Sequence, residues 1–260
     1  MIFLKDLLKC ELYKYKISPV RYISIAIPIL ICIYGLYSFY IIIKNNLENG
    51  LNPWILIFGL SFKIIPLLYS IMAIYVVQDN LNRDYSNNMF DILFTYPVKR
   101  ESIYLSKILM ILFILSFSIL IMFLIFILGI NFFELIQESN KFSEYGADPL
   151  YIYTYSFIRL LIYSFVIALI QLNINTISRN PVINIIVPIL LSLISSVIIS
   201  GHPNFKLFPY SYIYNIPQSI DMNGNIEDVH IDIIAIVLVI MLSLIYIKQK
   251  TLFKFQKLVL

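Results

Sequence analysis

None of the seven glycines, at positions 35, 50, 59, 129, 146, 201 and 224, begins the pattern of two glycines five residues apart followed by Lys and Ser or Thr. Backbone amides need that pattern to wrap nucleotide phosphates, so any ATP hydrolysis must reside on another chain. Histidine is equally scarce. His202 and His230 both fall in the polar stretch before the last apolar run, which is too sparse for a metal site. The two cysteines are Cys10, in a basic amphipathic tail, and Cys32, inside an apolar run, which excludes a secreted-type disulfide framework. Gly59-Leu60-Ser61 puts a serine in an apolar run, but no such run holds a histidine to activate it, so an intramembrane protease is set aside. Charged residues make up only 13% of the chain, against about 25% in soluble domains.

What is present is apolar. Hydrophobic residues make up 60% of the 260, above the roughly 45–50% of soluble proteins, and predict an all-α integral membrane protein. Six runs approach or exceed the roughly 20 residues that cross hydrocarbon: 22–43, 54–77, 103–130, 151–177, 182–200 and 231–247. The first follows a basic N-terminus but is too long for a signal peptide and lacks a small-residue cleavage site, so it reads as an uncleaved span. An even number of spans puts both termini on one side. That side holds fourteen of the nineteen lysines and arginines; the other holds Lys44, Lys141 and Lys206, and Lys63 and Arg159 lie inside spans. The positive-inside rule makes the first side, with both termini, cytoplasmic. Because the basic residues cluster there, the net charge of +4 points to a membrane surface and not to nucleic acid.

Residues 3–16 place Leu4, Leu7, Leu8, Leu12 and Tyr15 in one helical stripe with Lys5, Asp6, Lys9 and Lys16 opposite, predicting an interfacial amphipathic helix over 1–20. Glu11 interrupts the stripe and either pairs loosely with a neighbouring lysine or faces a partner protein. Lys63 and Arg159 lie about ten residues inside the outer ends of their spans, where a cation needs a partner, water or a route to the headgroups. Two readings stand: the stems snorkel outward, or the charges line a substrate path. Pro28, Pro66 and Pro188 each remove a backbone hydrogen bond and bend their spans. The outer loop 201–230 alternates Phe205, Phe208, Tyr210, Tyr212 and Tyr214 with prolines, as expected of an interfacial anchor or of a lid over a path. Outer segments are rich in Asp and Glu, either as what remains once basic residues are kept inside or as an attraction for a cationic substrate.

The stretch Gln78–Lys107 is the longest polar interruption that carries basic residues. Met89, Phe90, Ile92, Leu93 and Phe94 alternate with polar positions there, as in an amphipathic helix lying on a surface. A juxtamembrane loop gripping anionic lipid would share those features. In sequence the stretch resembles the first cytoplasmic loop of type-2 ABC exporter permeases, particularly the small permeases of lantibiotic immunity and bacitracin-type resistance. That family's loop has an acidic residue, Gly-Thr, an apolar block, Pro-Val-Ser-Arg and a lysine seven positions on. Here Asp84 and Asn88-Met89 are followed by Phe90, Ile92 and Leu93, then Pro97-Val98-Lys99-Arg100 and Lys107, with Asn88-Met89 replacing Gly-Thr. Glu11-Leu12-Tyr13-Lys14-Tyr15-Lys16 is similar to the family's N-terminal Glu-x-x-Lys-x-Lys/Arg.

The resemblance implies one transmembrane domain over 1–260, with a cytoplasmic coupling helix between spans 2 and 3 within 78–102. Asp84, Asn88, Met89, Phe90, Asp91, Ile92, Leu93, Pro97 and Arg100, with Glu11, would meet the ATPase, while Lys63 and Arg159 are the substrate-path candidates. It implies a permease in the bacterial cell membrane, paired with an identical or homologous second permease on two ATPase subunits, with ATP and Mg bound there and not on this chain. The cargo it implies is an amphipathic antimicrobial peptide, taken from membrane or cytoplasm; amphipathic peptides partition into the interface, so a path open sideways to lipid suits them. A hydrophobic drug or lipid-linked molecule is an alternative cargo, and a non-transporting membrane sensor or assembly protein is the rival class.

Overall fold

The structure is a computed structural model that describes residues 4–44, 58–86, 99–136, 149–178, 180–199, 203–219 and 228–248. Among these there is no strand. The long helices are α1 (Leu4–Ile17), α2 (Val20–Lys44), α3 (Ile65–Ser86), α4 (Arg100–Ile136), α5 (Pro149–Ile177), α6 (Pro181–Ile198) and α7 (Val229–Lys248). Five contain stretches long and apolar enough to cross a membrane: Val20–Ser38, Glu101–Gly129, Tyr151–Thr176, Pro181–Ile198 and Val229–Lys248. At 37 residues α4 is about 55 Å long, well beyond a hydrocarbon layer of about 30 Å.

The expected second span, 54–77, begins outside the described residues. Its described part is a helical turn at 58–61, a break at 62–64 and then α3. Pro66 accounts for the break: it has no N–H to give, and its ring would collide with the carbonyl of Phe62 four residues earlier. The helix does not stop at 77, as the apolar run suggested, but carries Gln78 to Arg83 with it to Ser86. It can hold these polar residues because it is central, packed against α2, α4, α5 and α6. Tyr69, Met72, Ala73, Val76 and Val77 are all buried along it.

The surrounding helices show the reverse pattern. Their outer faces carry exposed apolar side chains, Leu30 and Ile33 on α2, Ile186 and Leu190 on α6, and Ile236 and Ile240 on α7, as in a bundle immersed in lipid. Lipid supplies no hydrophobic drive for helices to associate, so close packing and polar contacts must hold them. On α2, a Cβ at Gly35 would lie 2.2 Å from Ser61 Oγ, and on α4 one at Gly129 would lie 2.5 Å from Leu36 Cδ1. Rings join the 58–61 turn, α4 and α5: Phe58 and Phe62 stack at 4.1 Å, Phe58 meets Tyr153 edge-on at 5.6 Å, and Phe123 meets Phe157 at 5.3 Å.

Buried amides tie α5 to α3 and α6. Asn175 Nδ2 donates to Gln78 Oε1 at 2.9 Å, and Gln171 Nε2 donates to Asn175 Oδ1 at 2.9 Å and to the Asn184 carbonyl. Asn180 caps α6 by accepting from the Val182 amide at 3.0 Å, with Pro181 in its first turn, where the missing N–H costs nothing.

The aromatic segment before α7, expected as a half-sunk anchor, instead folds its tyrosines inward. Residues 203–219 form short turns in which Tyr210, Tyr212 and Tyr214 are buried, while Phe205 and Leu207 at the rim are exposed. The Tyr212–Asn215 turn packs against α3 and α5, and Pro209–Ser211 against α5 and α6, so the segment plugs that end of the bundle. Ser192 Oγ links Tyr214 Oη at 3.0 Å to Ser70 Oγ at 2.6 Å.

The glycine contacts yield a test. Gly35→Leu should push α2 away from Ser61 and α4 and destabilise the fold by about 1–3 kcal/mol, the usual range for an overpacked site. Gly59→Leu, whose Cβ would meet nothing within 4 Å, should cost far less; thermal unfolding of the two variants in detergent makes the comparison.

Candidate functional site

At the end of the bundle opposite the plug, α1, the last turns of α3 and the first turns of α4 meet through charges. Asp84 lies between two lysines: Lys14 Nζ is 2.7 Å from Oδ1, and Lys107 Nζ bonds Oδ2. Lys14 also pairs with Glu11 at 2.9 Å, one turn back along α1. Lys107 reaches Glu11 at 3.4 Å and Asn80 Oδ1 at 3.4 Å, while Asn80 Nδ2 donates to Glu11 Oε2 at 3.2 Å. Two cations and two anions cancel inside a space where Asp84 and Lys107 are fully buried. A flanking group continues the contact: Arg83 Nε pairs with Asp79 Oδ2 at 3.0 Å, and Ser18 Oγ donates to the same oxygen at 2.6 Å.

Helical spacing makes this arrangement possible. Asn80 and Asp84 sit four apart on one face of α3, Asp79 and Arg83 four apart on the next, and Glu11 and Lys14 three apart on α1. The face of α1 that docks therefore runs through Leu7 and Glu11, both buried, and not through Leu12, which is exposed. Glu11 lies at the centre of that face because Lys107 and Lys14 neutralise it there.

Burial by itself would raise the Asp84 pKa, but the charges and hydrogen bonds of Lys107 and Lys14 outweigh it and hold the carboxyl below its ordinary 3.8. Burial opposes the Lys14 charge too, yet Glu11 and Asp84 hold it above its ordinary 10.5. A depressed carboxylate contributes stability above its unfolded pKa and loses it as pH falls through the folded value; a raised lysine contributes below its unfolded pKa and loses it as pH rises through the folded value. The stability that Asp84 and Lys14 contribute is thus fully present from roughly pH 4 to pH 10.

Asp84 lies two residues before the end of α3, and Lys107 seven residues after the start of α4. One ion pair therefore joins the two helices that flank residues 87–98, and the same charges hold α1. A force on that segment would reach α1, α3 and α4 together.

Of the residues singled out from the sequence, Glu11 and Asp84 come together in this clamp. Arg100 opens α4. Asn88, Met89, Phe90, Asp91, Ile92, Leu93 and Pro97 lie outside the described residues. Lys63 is exposed, in the break before α3. Arg159 neither snorkels nor faces an open path: it is 2% exposed and bound to Asp232, with Nη2 2.9 Å and Nε 3.0 Å from Oδ2. Sequence reasoning did not single out Lys14, Asn80 or Asp232 as site residues. A signal existed for Asp232, an acidic residue at the start of an apolar run in a chain where Arg159 needed a counter-charge.

Four of the charged residues quoted for the resemblance, Glu11 and Lys14 in one motif and Asp84 and Lys107 in the other, converge on a single clamp. Residues 7–199, which include all four, match the family model of ABC-2 family transporter proteins. The chain belongs to the ABC-2 transporter family. No curated protein matches it. As an ABC-2 permease it is a multi-pass membrane component of a transporter, in a family that generally works with an ABC ATPase partner. The matched range contains the clamp and Arg159 and ends before the plug and α7.

Lys107→Met should lower the unfolding free energy by about 3 kcal/mol, as expected when one partner of a buried pair is removed, and Lys14→Met by less because its side chain stays 20% exposed. Denaturant unfolding of the full chain in detergent gives the order, and a larger loss for Lys14→Met would rule out Lys107 as the central cation. Wild-type stability should also fall on acidification through the depressed Asp84 pKa, a step that Asp84→Asn should lack.

Proposed function

We propose that this ABC-2 permease is an exporter subunit driven through residues 87–98, with the clamp as the joint that passes ATPase movement into the bundle. The observation that carries the reading is the buried Asp84–Lys107 pair, which joins both ends of that segment to each other and to α1. In this reading 54–77 makes a sixth crossing, both termini are cytoplasmic, and α1 lies at the inner leaflet, with Cys10, Lys9 and Lys16 on its exposed face. With the buried Asp84 anchoring its start in the clamp, the coupling helix expected within 78–102 would seat the apolar Met89, Phe90, Ile92 and Leu93, with Arg100 beside them, on one of two ATPase subunits. These bind ATP and Mg; a second permease, identical or homologous, completes the path in the bacterial cell membrane.

The cargo we propose is an amphipathic antimicrobial peptide, moved out of the membrane or cell for immunity or secretion. The motif resemblance supports it, and peptides of that kind concentrate at the interface where a laterally open path would receive them.

Tagged full-length protein expressed with its ATPase should retain that ATPase on purification, and a cationic amphipathic peptide should stimulate hydrolysis in the reconstituted complex. Arg100→Glu should abolish the stimulation while insertion stays normal. Retention of no ATPase, or full stimulation in Arg100→Glu, would exclude this route of coupling; stimulation by a hydrophobic drug but not by the peptide would change the cargo class alone.

A further inference from the structure

At the plugged end, a second charged centre joins three separate parts of the chain. Tyr155, Arg159 and Tyr163 recur every four residues on α5 and so share a face. Asp232, in the first turn of α7, accepts from all three: Oδ2 from Arg159 Nε at 3.0 Å, from Arg159 Nη2 at 2.9 Å and from Tyr155 Oη at 2.7 Å, and Oδ1 from Tyr163 Oη. The remaining guanidinium nitrogen, Nη1, donates to Ser219 Oγ at the end of the plug, and the Tyr155 ring covers the guanidinium at 4.7 Å. Ser219 in turn donates to the Ile216 carbonyl at 2.9 Å, and Tyr163 packs on Tyr212 at 5.5 Å.

We propose that the Arg159–Asp232 pair is the latch of the transport path at this end: made, it seals α7 and the 203–219 plug against α5, and its separation lets the plug move. The proposal rests on the export reading above, which makes this end the outer one. Three features of the geometry carry it. The pair is the meeting point of α5, α7 and the plug, so α7 and Ser219 lose their shared hold when the guanidinium leaves. Both charges are almost fully enclosed, so they are stable together or fully hydrated apart, and intermediate separations are costly. The plug it secures is built of buried side chains, Tyr212, Ile213, Tyr214 and Asn215, that pack on α3 and α5. Besides the neutral Tyr214–Ser192–Ser70 hydrogen bonds, a second ion pair, Lys206 Nζ to Asp228 Oδ2 at 2.7 Å with Asn215 at 3.2 Å, is more exposed and joins the plug only to the start of α7. It can travel with the moving parts.

The test uses the full chain carrying Cys10→Ser and Cys32→Ala, with Ile213→Cys as a reporter inside the plug and a charged, membrane-impermeant maleimide as the probe. Arg159→Met/Asp232→Leu removes both charges and so leaves no unpaired ion to prevent folding. In intact cells this variant should label at Ile213→Cys at least about tenfold faster than the parent, as expected when a closed state loses its excess population. The charge-keeping Arg159→Lys/Asp232→Glu should label near the parent rate. Leu81→Cys, buried at the far end of α3 and probed from the other face, should not change. Equal rates at Ile213→Cys with and without the pair would overturn the latch, as would a parallel rise at Leu81→Cys, which would mean general loosening. Labelling of Ile213→Cys from the cytoplasmic face only would overturn the assignment of this end as outer. Faster labelling from outside in a protein that retains no ATPase would support the latch and reject the coupling reading alone.

Discussion

A charge in an interior of low dielectric has to be neutralised where it stands, because burying it unpaired costs more than packing can return. This chain buries charge at both ends of its bundle, and the meeting points of α1, α3 and α4 and of α5 and α7 follow from it. Glu11, Lys14, Asp84 and Lys107 bring α1, α3 and α4 to one point. Arg159 and Asp232 bring α5, α7 and the plug to another. Between them, contacts are made by rings, methyl groups, two closely packed glycines and the amide hydrogen bonds of Gln78, Gln171 and Asn175.

Polar residues are placed to match. The helix with the most polar end, α3, is the one surrounded by protein, and the helices with the most exposed apolar surface, α2, α6 and α7, form the outside. α5 links the two ends physically. It carries Asn175 and Gln171, bonded to α3 and α6 near the clamp, and about four turns earlier Arg159, bonded to α7 and the plug. A shift of α3 caused by a push on residues 87–98 would reach α5 through the Gln78–Asn175 bond, and the plug through α5. Coupling of this kind needs elements with two discrete arrangements, which under the latch proposal the enclosed Arg159–Asp232 pair would supply.

Several of these features were legible before any fold was known. The apolar runs and their flanking basic residues marked the helices, and Pro66 marked the break beside Lys63. The motif charges Glu11, Lys14, Asp84 and Lys107 were visible as motifs, but not as a cluster. Glu11 is 96 positions from Lys107, and no periodicity connects residues on separate helices. Arg159 looked like an isolated cation because its partner is 73 positions away. The tyrosines of the plug had the composition of an interfacial belt, and only the space between α3, α5 and α6 explains why they are buried instead.

The sequence by itself determined that this is a helical membrane chain, where most of its helices begin and end, and to which family it is similar, because hydrophobic runs, prolines and short motifs act over a few residues of chain. Tertiary structure alone decided which charges cancel, which polar helix is central and which aromatic loop folds inward. Those outcomes depend on distances between segments far apart in the chain, and a buried ion is stable only when such a distance has closed.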